Sequence, residues 1–254
     1  MNGTFMVWLF VRMKYAIIAA GEGSRLAEEG IQVPKPLVRV AGEQLVDRLI
    51  RVFRDCGATE VCIICNQLTT LVSSHLSDLQ QQGLPVKYIT KTTPSSMHSM
   101  FELSPLLEGD EPFVLTTVDT IFCEEEFRSY VGAWQRLAES GEADGLMGVT
   151  DFIDDEKPLY VETDEMQNIT AFLDKQEHPH YISGGIYGLT PRSLATLRSC
   201  VNRGESRMRN FQRALIADGL SLKAYPFSKV LDIDHAGDIR KAEEFLAACG
   251  LNDK

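Results

Sequence analysis

A glycine-rich turn after a short apolar run constrains the fold of this chain more than any other feature. Residues 15–20 read YAIIAA, a pattern typical of a strand buried on both faces of a parallel sheet. The residues that follow are Gly21-Glu22-Gly23-Ser24-Arg25. Glycines between a strand and a helix let backbone N–H groups approach phosphate oxygens closely. This turn therefore predicts a phosphate-binding loop.

Two well-known phosphate loops do not fit this turn. A dinucleotide-binding fingerprint requires glycine at the position of Leu26, and the Gly-Lys-Ser/Thr of a P-loop occurs nowhere in the chain. Arg25 instead adds a permanent cation beside the loop. Ten residues later, Lys35 lies between Pro34 and Pro36, which hold the backbone extended and rigid. We expect Lys35 to point back at the same phosphates.

The rest of the chain predicts an α/β fold. Apolar runs at residues 61–65, 86–90, 113–118 and 145–149 read as strands separated by helices, which indicates a mostly parallel sheet. Residues 159–163 and 169–173 alternate around a turn and read as a hairpin, and residues 182–189 read as a further strand. We expect three layers around a Rossmann-like mixed sheet, with a small antiparallel insertion. Ligands in such folds bind at the carboxyl ends of the strands.

The charge of the chain excludes some classes of partner. Its 254 residues carry a net charge of −11, and so acidic a surface repels nucleic-acid phosphates and anionic lipids. We therefore expect neither a nucleic-acid nor a membrane partner, and the sequence leaves open whether the chain forms a homo-oligomer. Residues 1–12 are interpreted as an extension, and residues 13–254 as one domain.

The six cysteines form no disulfide framework and predict a cytoplasmic protein. Cys62 and Cys65 form a C-x-x-C pair, but they fall within a predicted strand. Successive side chains of a strand point to opposite faces, so positions three apart do not share one. We interpret both residues as buried apolar side chains rather than as a redox or metal motif.

The two N-terminal motifs together resemble one protein family. The run from Gly21 to Leu26, followed by Pro34-Lys35-Pro36-Leu37, is similar to the sugar-phosphate nucleotidyltransferases, and the resemblance extends over about residues 14–246. It implies the nucleotide-diphospho-sugar transferase fold and an enzyme that forms a nucleotide sugar and pyrophosphate from a nucleoside triphosphate and a sugar 1-phosphate. The alternatives are transfer to phosphocholine or a similar non-sugar phosphate, and a non-catalytic nucleotide-sugar sensor.

The resemblance also implies a magnesium site. Asp119 ends an apolar strand where the family has Gly-Asp, although Val118 replaces the glycine. Asp232 matches the later acid of the family, with Asp234 as the alternative and Val230 in place of the usual tryptophan. Mg²⁺ prefers oxygen ligands and often takes one or two carboxylates together with substrate phosphates.

Further site residues follow from the resemblance. Lys175 would bind the phosphate of the sugar substrate, while Gly184 and Gly185 would let the sugar lie against a strand. Nucleotide binding is expected from the loop, Lys35 and Ser96, namely from Ala20, Gly21, Gly23, Ser24, Arg25, Lys35 and Ser96. Arg209 and Arg213, one helical turn apart, are interpreted as a solvent-facing helix surface.

The implied reaction needs alignment rather than a general base. A phosphate monoester has a second pKa of about 6, so it is mostly dianionic at neutral pH and can attack phosphorus directly. The remaining tasks are to align the substrates and to neutralise their charge. Arg25, Lys35 and Lys175 are the expected catalytic residues.

Overall fold

The computed structural model describes residues 12–154 and 157–251, which contain thirteen strands and eight α-helices. The strands are β1 (Lys14–Ala19), β2 (Arg39–Val40), β3 (Glu43–Gln44), β4 (Val61–Cys65), β5 (Val86–Thr90), β6 (Phe113–Thr117), β7 (Thr120–Phe122), β8 (Gly145–Thr150), β9 (Tyr160–Thr163), β10 (Ile169–Leu173), β11 (Tyr181–Leu189), β12 (Leu222–Phe227) and β13 (Val230–Asp232). The helices are α1 (Ser24–Glu28), α2 (Leu45–Asp55), α3 (Thr70–Gln81), α4 (Ser96–Leu107), α5 (Glu124–Ser140), α6 (Ser193–Asn202), α7 (Met208–Ala217) and α8 (Ala236–Leu251). Residues 1–11 of the predicted extension lie outside the described residues.

One mixed sheet forms the centre of the molecule. Its strand order is β10-β9-β11-β6-β1-β4-β5, with β8 pairing β11 and β12 pairing β8. Of the nine strands found in this sheet within the described residues, only β10 and β11 run against the others. The prediction of a mixed, mostly parallel sheet with an antiparallel insertion is confirmed.

Two apolar cores, one on each face of the sheet, explain why the first strand is apolar throughout. Tyr15 and Ile17 of β1 pack in the core shared with α2, α3 and α5, whereas Ala16 and Ile18 pack in the core shared with α4, α6 and α7. A strand covered by helices on both faces has no polar side, so it cannot show alternation. Cys62 and Cys65 are both buried, and they lie in different cores as their spacing predicted.

Helix α4 contains a proline near its C-terminal end. The helix continues through Pro105 to Leu107. A proline inside a helix has no N–H for the carbonyl four residues earlier, here that of Phe101. The Ser104 hydroxyl donates a hydrogen bond of 2.7 Å to this carbonyl and satisfies it. The neighbouring serine thus compensates for part of the proline's cost.

A two-stranded ribbon that the sequence did not predict brings two distant acids together. Strands β7 and β13 pair antiparallel, with Asp232 opposite Thr120. The backbone N–H of Ile233 also donates to the carbonyl of Asp119 at 3.2 Å. The backbones of Asp119 and Asp232 are therefore neighbours at the carboxyl end of the sheet. Among the described helices, none is long and apolar enough to cross a membrane.

Candidate functional site

The glycine turn lines a cavity of about 570 Å³, here called the glycine-loop cavity. All seven residues predicted to bind nucleotide line it, and so does Asp119. They arrive on different elements: β1 leads into the loop, Lys35 begins a short 3-10 turn at residues 35–37, Ser96 begins α4, and Asp119 follows β6. The motifs that the sequence grouped by spacing therefore share one surface.

The two glycines of the loop serve different purposes. Gly23 has φ of +64°, and a Cβ there would come within 3.0 Å of the Lys35 Cβ, so the fold itself requires glycine. Gly21 has ordinary backbone geometry, and a Cβ built there would meet no protein atom within 4 Å. A side chain at Gly21 would occupy the cavity instead. Such open space beside a glycine is expected in a loop whose backbone contacts a ligand.

This difference gives a paired prediction. Gly21→Ala should fold with wild-type thermal stability but weaken triphosphate binding by at least about tenfold, because its methyl group intrudes on the ligand. Gly23→Ala should destabilise the protein by about 1–3 kcal/mol through backbone strain and its contact with Lys35. Thermal unfolding and calorimetric titration measure both effects. Equal loss of stability in the two variants would contradict the distinction.

Four charged side chains form a cluster at the floor of the loop. The Lys35 ammonium hydrogen-bonds Asp119 Oδ2, and it donates to Asp234 Oδ1 at 2.8 Å. The other oxygen of Asp234, Oδ2, accepts a hydrogen bond of 2.9 Å from Arg25 Nη1. The Lys35 side chain is only 10% exposed, whereas that of Arg25 is 54% exposed. The cluster thus joins two cations to two acids at the edge of an open cavity.

The surroundings keep this cluster charged. Burial alone would lower the pKa of Lys35, but the charges and hydrogen bonds of Asp119 and Asp234 outweigh it and raise the pKa above its ordinary value. Burial alone would raise the pKa of Asp234. The hydrogen bond and charge of Lys35, and then the charge of Arg25, outweigh burial and lower the pKa of that carboxyl. Lys35 is therefore protonated and Asp234 ionised at neutral pH.

A second cavity of about 450 Å³ adjoins the first, and we call it the strand-end cavity. Both cavities are lined by Arg25 and Asp234. Asp232 and Gly184 line the strand-end cavity as predicted, and Arg209 lines it as well. The site therefore offers two adjoining chambers at the ends of the strands, with charged side chains where they meet.

Two predicted residues lie elsewhere. Lys175 is exposed and lines neither chamber. Gly185 also lines neither, and its φ is +71° at an irregularity in the pairing of β11 with β8, between Ser183 and Ile186. A Cβ at Gly185 would come within 3.2 Å of the Thr120 hydroxyl. Backbone geometry is therefore enough to explain this glycine, and its proposed contact with substrate stays a prediction.

Arg209 does not form the solvent-facing surface that the sequence suggested. Its side chain is 27% exposed and bonds Asp174 Oδ1 at 2.6 Å and the Lys157 carbonyl at 2.9 Å. Arg213 pairs with the same carboxylate at 2.8 Å but does not line the strand-end cavity. Helical spacing could not predict these ion pairs, because Asp174 follows β10 whereas both arginines lie on α7.

The acids at the carboxyl end of the sheet are the candidates for a metal site. Within residues 12–154 and 157–251, no group of three or more His, Cys, Asp or Glu side chains could hold a metal. Asp119 and Asp232 have adjoining backbones, joined by the hydrogen bond from the Ile233 N–H to the Asp119 carbonyl and by the pairing of β7 with β13. Two carboxylates on adjoining backbones fit Mg²⁺, which completes its shell with water and substrate phosphates.

Hydroxyl groups surround the entrance to α4, beside the glycine-loop cavity. The Ser95 hydroxyl caps the helix by accepting the N–H of His98, and the Thr93 and Ser99 hydroxyls lie 2.6 Å apart. Ser96 lines the cavity, but so do Thr93 and Ser95. Capping explains Ser95. Ser96 lines the cavity, and its contact with nucleotide stays a prediction.

Comparison with known proteins defines the family. The family model for nucleotidyl transferases matches residues 14–248. The chain therefore belongs to the nucleotidyl transferase family, and it is an enzyme that transfers nucleotidyl groups. The resemblance found in the loop and proline motifs is confirmed.

Individual relatives are distant. The chain is 25% identical over 245 residues to the UTP–glucose-1-phosphate uridylyltransferase AglF of Haloferax volcanii, covering 92% of this chain and 96% of that protein. It is 27% identical over 241 residues to a bifunctional IPC transferase and DIPP synthase of Rubrobacter xylanophilus, covering 91% of this chain but 51% of that protein.

A solved structure supports the fold. The inositol-1-phosphate CTP transferase from T. maritima superposes with a TM-score of 0.75 at 20% identity, covering 94% of this chain and 96% of that one. At this identity the likeness concerns the fold alone. It confirms the predicted fold class, in which helices on both faces of a mixed, mostly parallel sheet form three layers.

Proposed function

We propose that this enzyme joins a nucleoside triphosphate to a sugar 1-phosphate, forming a nucleotide sugar and releasing pyrophosphate. The observation that carries the proposal is the cluster of Arg25, Lys35 and Asp119 beside a glycine loop open to ligand. A triphosphate carries several negative charges, and these two cations are placed to meet it. The relative AglF, named for glucose 1-phosphate and UTP, supports the same class of reaction.

The two chambers suggest how the substrates are arranged. We assign the triphosphate to the glycine-loop cavity, where backbone N–H groups, Arg25 and Lys35 would hold its phosphates. The acceptor phosphate would enter the strand-end cavity, so that its oxygen faces the α-phosphate near Arg25. Fixing two reactants in this way removes much of the entropic barrier to their reaction. No general base is required, because the acceptor phosphate is already a dianion.

Asp119 and Asp232 are the residues that would hold Mg²⁺, with Asp234 as the alternative to Asp232. Bound there, the ion would neutralise the charge that develops on the phosphate oxygens. The chain's own cations would share this task, with Lys35 beside Asp119 and Arg25 between the chambers. The protein thus supplies fixed charge in the places where the reaction needs it.

A non-sugar acceptor is the second candidate. The relative from Rubrobacter xylanophilus is named an IPC transferase, and the structure from T. maritima is an inositol-1-phosphate CTP transferase. The second name describes transfer to the phosphate of a cyclic polyol rather than to that of a sugar. Val118 and Val230, where the sugar enzymes have glycine and tryptophan, agree with this alternative.

One activity screen separates these possibilities. Purified protein with Mg²⁺ is incubated with each of four nucleoside triphosphates against glucose 1-phosphate, mannose 1-phosphate, inositol 1-phosphate and phosphocholine, and pyrophosphate release is measured. Release that needs both substrates supports the proposal, and the acceptor used decides between sugar and non-sugar. Tight triphosphate binding without release in any combination would favour the sensor.

The acceptor residues give a further prediction. Arg209→Ala should raise the KM for the acceptor by about tenfold or more, because Arg209 lines the strand-end cavity and an oriented charged hydrogen bond is lost. Lys175→Ala should also raise this KM, but less, since Lys175 is exposed. Arg213→Ala is the matched control, because it shares Asp174 with Arg209 and lies outside the cavity. Steady-state kinetics with the acceptor varied measures all three.

The same variants should bind triphosphate as the wild type does, as measured by calorimetry without acceptor. A larger rise in acceptor KM from Lys175→Ala than from Arg209→Ala would assign the acceptor phosphate to Lys175 instead. Equal effects from Arg209→Ala and Arg213→Ala would mean that both act only by holding Asp174.

A further inference from the structure

We propose that Asp234 makes the glycine-loop cavity selective for metal-complexed over metal-free triphosphate, by holding Arg25 and Lys35 as their shared counter-ion. The inference rests on the proposed function, because it assumes that these two cations meet phosphate. Asp234 is a specificity-determining residue in this scheme and is not itself required to touch the reacting atoms.

The geometry of the carboxylate is the basis of this assignment. Each oxygen of Asp234 serves a different cation: Oδ1 accepts from Lys35 at 2.8 Å and Oδ2 from Arg25 at 2.9 Å. Its backbone N–H is bonded in turn to Asp238 Oδ2 at 3.2 Å, at the start of α8. The carboxylate is therefore held in place and bridges the two cations beside the glycine-loop cavity.

This arrangement penalises a triphosphate that arrives without a metal. Lys35 is bonded to both Asp119 and Asp234, so these carboxylates occupy two of its three N–H donors and offset its charge before any phosphate arrives. Both acids then stay beside the incoming anion, because the Asp119 carbonyl accepts from Ile233 N–H and the Asp234 N–H donates to Asp238. Like charges held within a few ångströms repel strongly where water is partly excluded. Metal-free triphosphate should consequently bind weakly.

The penalty is smaller for a metal-complexed triphosphate. Such a complex carries its own cation for Asp119, which leaves Lys35 paired with one acid instead of two. It also carries less negative charge to be repelled by Asp234. Asp234 therefore controls the ratio of the affinities for metal-complexed and metal-free triphosphate. It does so through Arg25 and Lys35, the cations that it contacts.

A role for Asp234 as the second metal ligand predicts a different result for the metal complex. Removal of a metal ligand weakens binding of the complex, although it also relieves repulsion of the metal-free triphosphate. Removal of a competing counter-ion strengthens binding of the metal-free triphosphate and changes binding of the complex little. The two roles are distinguished by binding alone, without turnover.

The test is calorimetric titration of the full chain with each of the four ribonucleoside triphosphates, in EDTA and in Mg²⁺. For the triphosphate that binds best with Mg²⁺, Asp234→Asn should bind the metal-free form about tenfold tighter than wild type. With Mg²⁺ the affinity should change by less than about threefold. Glu28→Gln is the control for loss of one negative charge, because Glu28 is exposed on α1. It should shift neither affinity by more than about twofold.

Thermal unfolding confirms that the variants are folded, and Asp234→Ala provides a second variant with the same expected direction. Unchanged or weaker metal-free binding in both variants would overturn the inference, while Mg²⁺-dependent binding by the wild type would leave the proposed function standing. Absence of binding to any triphosphate by the wild type, with or without Mg²⁺, would overturn the proposed function and this inference with it.

Discussion

Replacing Asp119 by asparagine should lower turnover by about 10³-fold, while the protein still folds. Asp119 is the carboxylate that both the family resemblance and the position at the end of β6 assign to Mg²⁺. Asparagine keeps the shape of the side chain and removes its charge. The expected loss corresponds to the several kcal/mol by which a metal ion stabilises charge on transferring phosphate. Initial rates of pyrophosphate release at saturating substrates measure it.

The structure gives a reason to expect that Asp119→Asn folds. Lys35 keeps Asp234 as an ion-pair partner, so its charge is not left unpaired in the partly buried site. The dependence of the rate on Mg²⁺ concentration supplies the second readout, because loss of a ligand shifts the half-saturating concentration upward. Asp232→Asn should produce the same shift if it is the second ligand. Wild-type turnover by Asp119→Asn would remove this residue from the metal site.

The parts of the fold that could be predicted are those with local signals. Strand β1 and the loop after it follow from one apolar run and two glycines. The β9–β10 hairpin follows from alternation around a turn. The β7–β13 ribbon could not be predicted, because each strand has three residues and the partners lie more than a hundred residues apart in the chain. Such a pairing leaves no periodicity in the sequence.

In the candidate site, too, the residues with a local sequence signal could be predicted and those that depend on distant contacts could not. Arg25, Lys35 and Asp119 could be found because each lies beside a strand end or between prolines. In the structure Lys35 pairs with Asp119, and Asp234 links Lys35 to Arg25. Asp234 was named only as an alternative metal ligand. Its pairing with Lys35 joins positions 199 residues apart, and no local pattern encodes this contact. Arg209 was assigned to solvent because helical spacing cannot report a carboxylate on another element.

Lys35→Ala should weaken triphosphate binding by about 10–100-fold and lower turnover by about 10²–10³-fold. The Lys35 side chain is 10% exposed, and its proximity to two acids raises its pKa, so it presents a fixed positive charge at neutral pH. A compact ammonium near phosphate acts mostly as a point charge. Alanine removes that charge and also leaves Asp119 without this counter-ion beside the incoming phosphates.

Lys175→Ala is the matched comparison for Lys35→Ala, because it removes the same charge from the same acidic protein. General electrostatics would predict equal effects, since both changes make the net charge more negative by one. The site predicts unequal effects: Lys35 lines the glycine-loop cavity, and Lys175 does not. Calorimetry with triphosphate and Mg²⁺, in the absence of acceptor, should show weakened binding for Lys35→Ala alone. Equal weakening in both variants would mean that Lys35 contributes through overall charge, and the assignment of the triphosphate to this cavity would lose its main support.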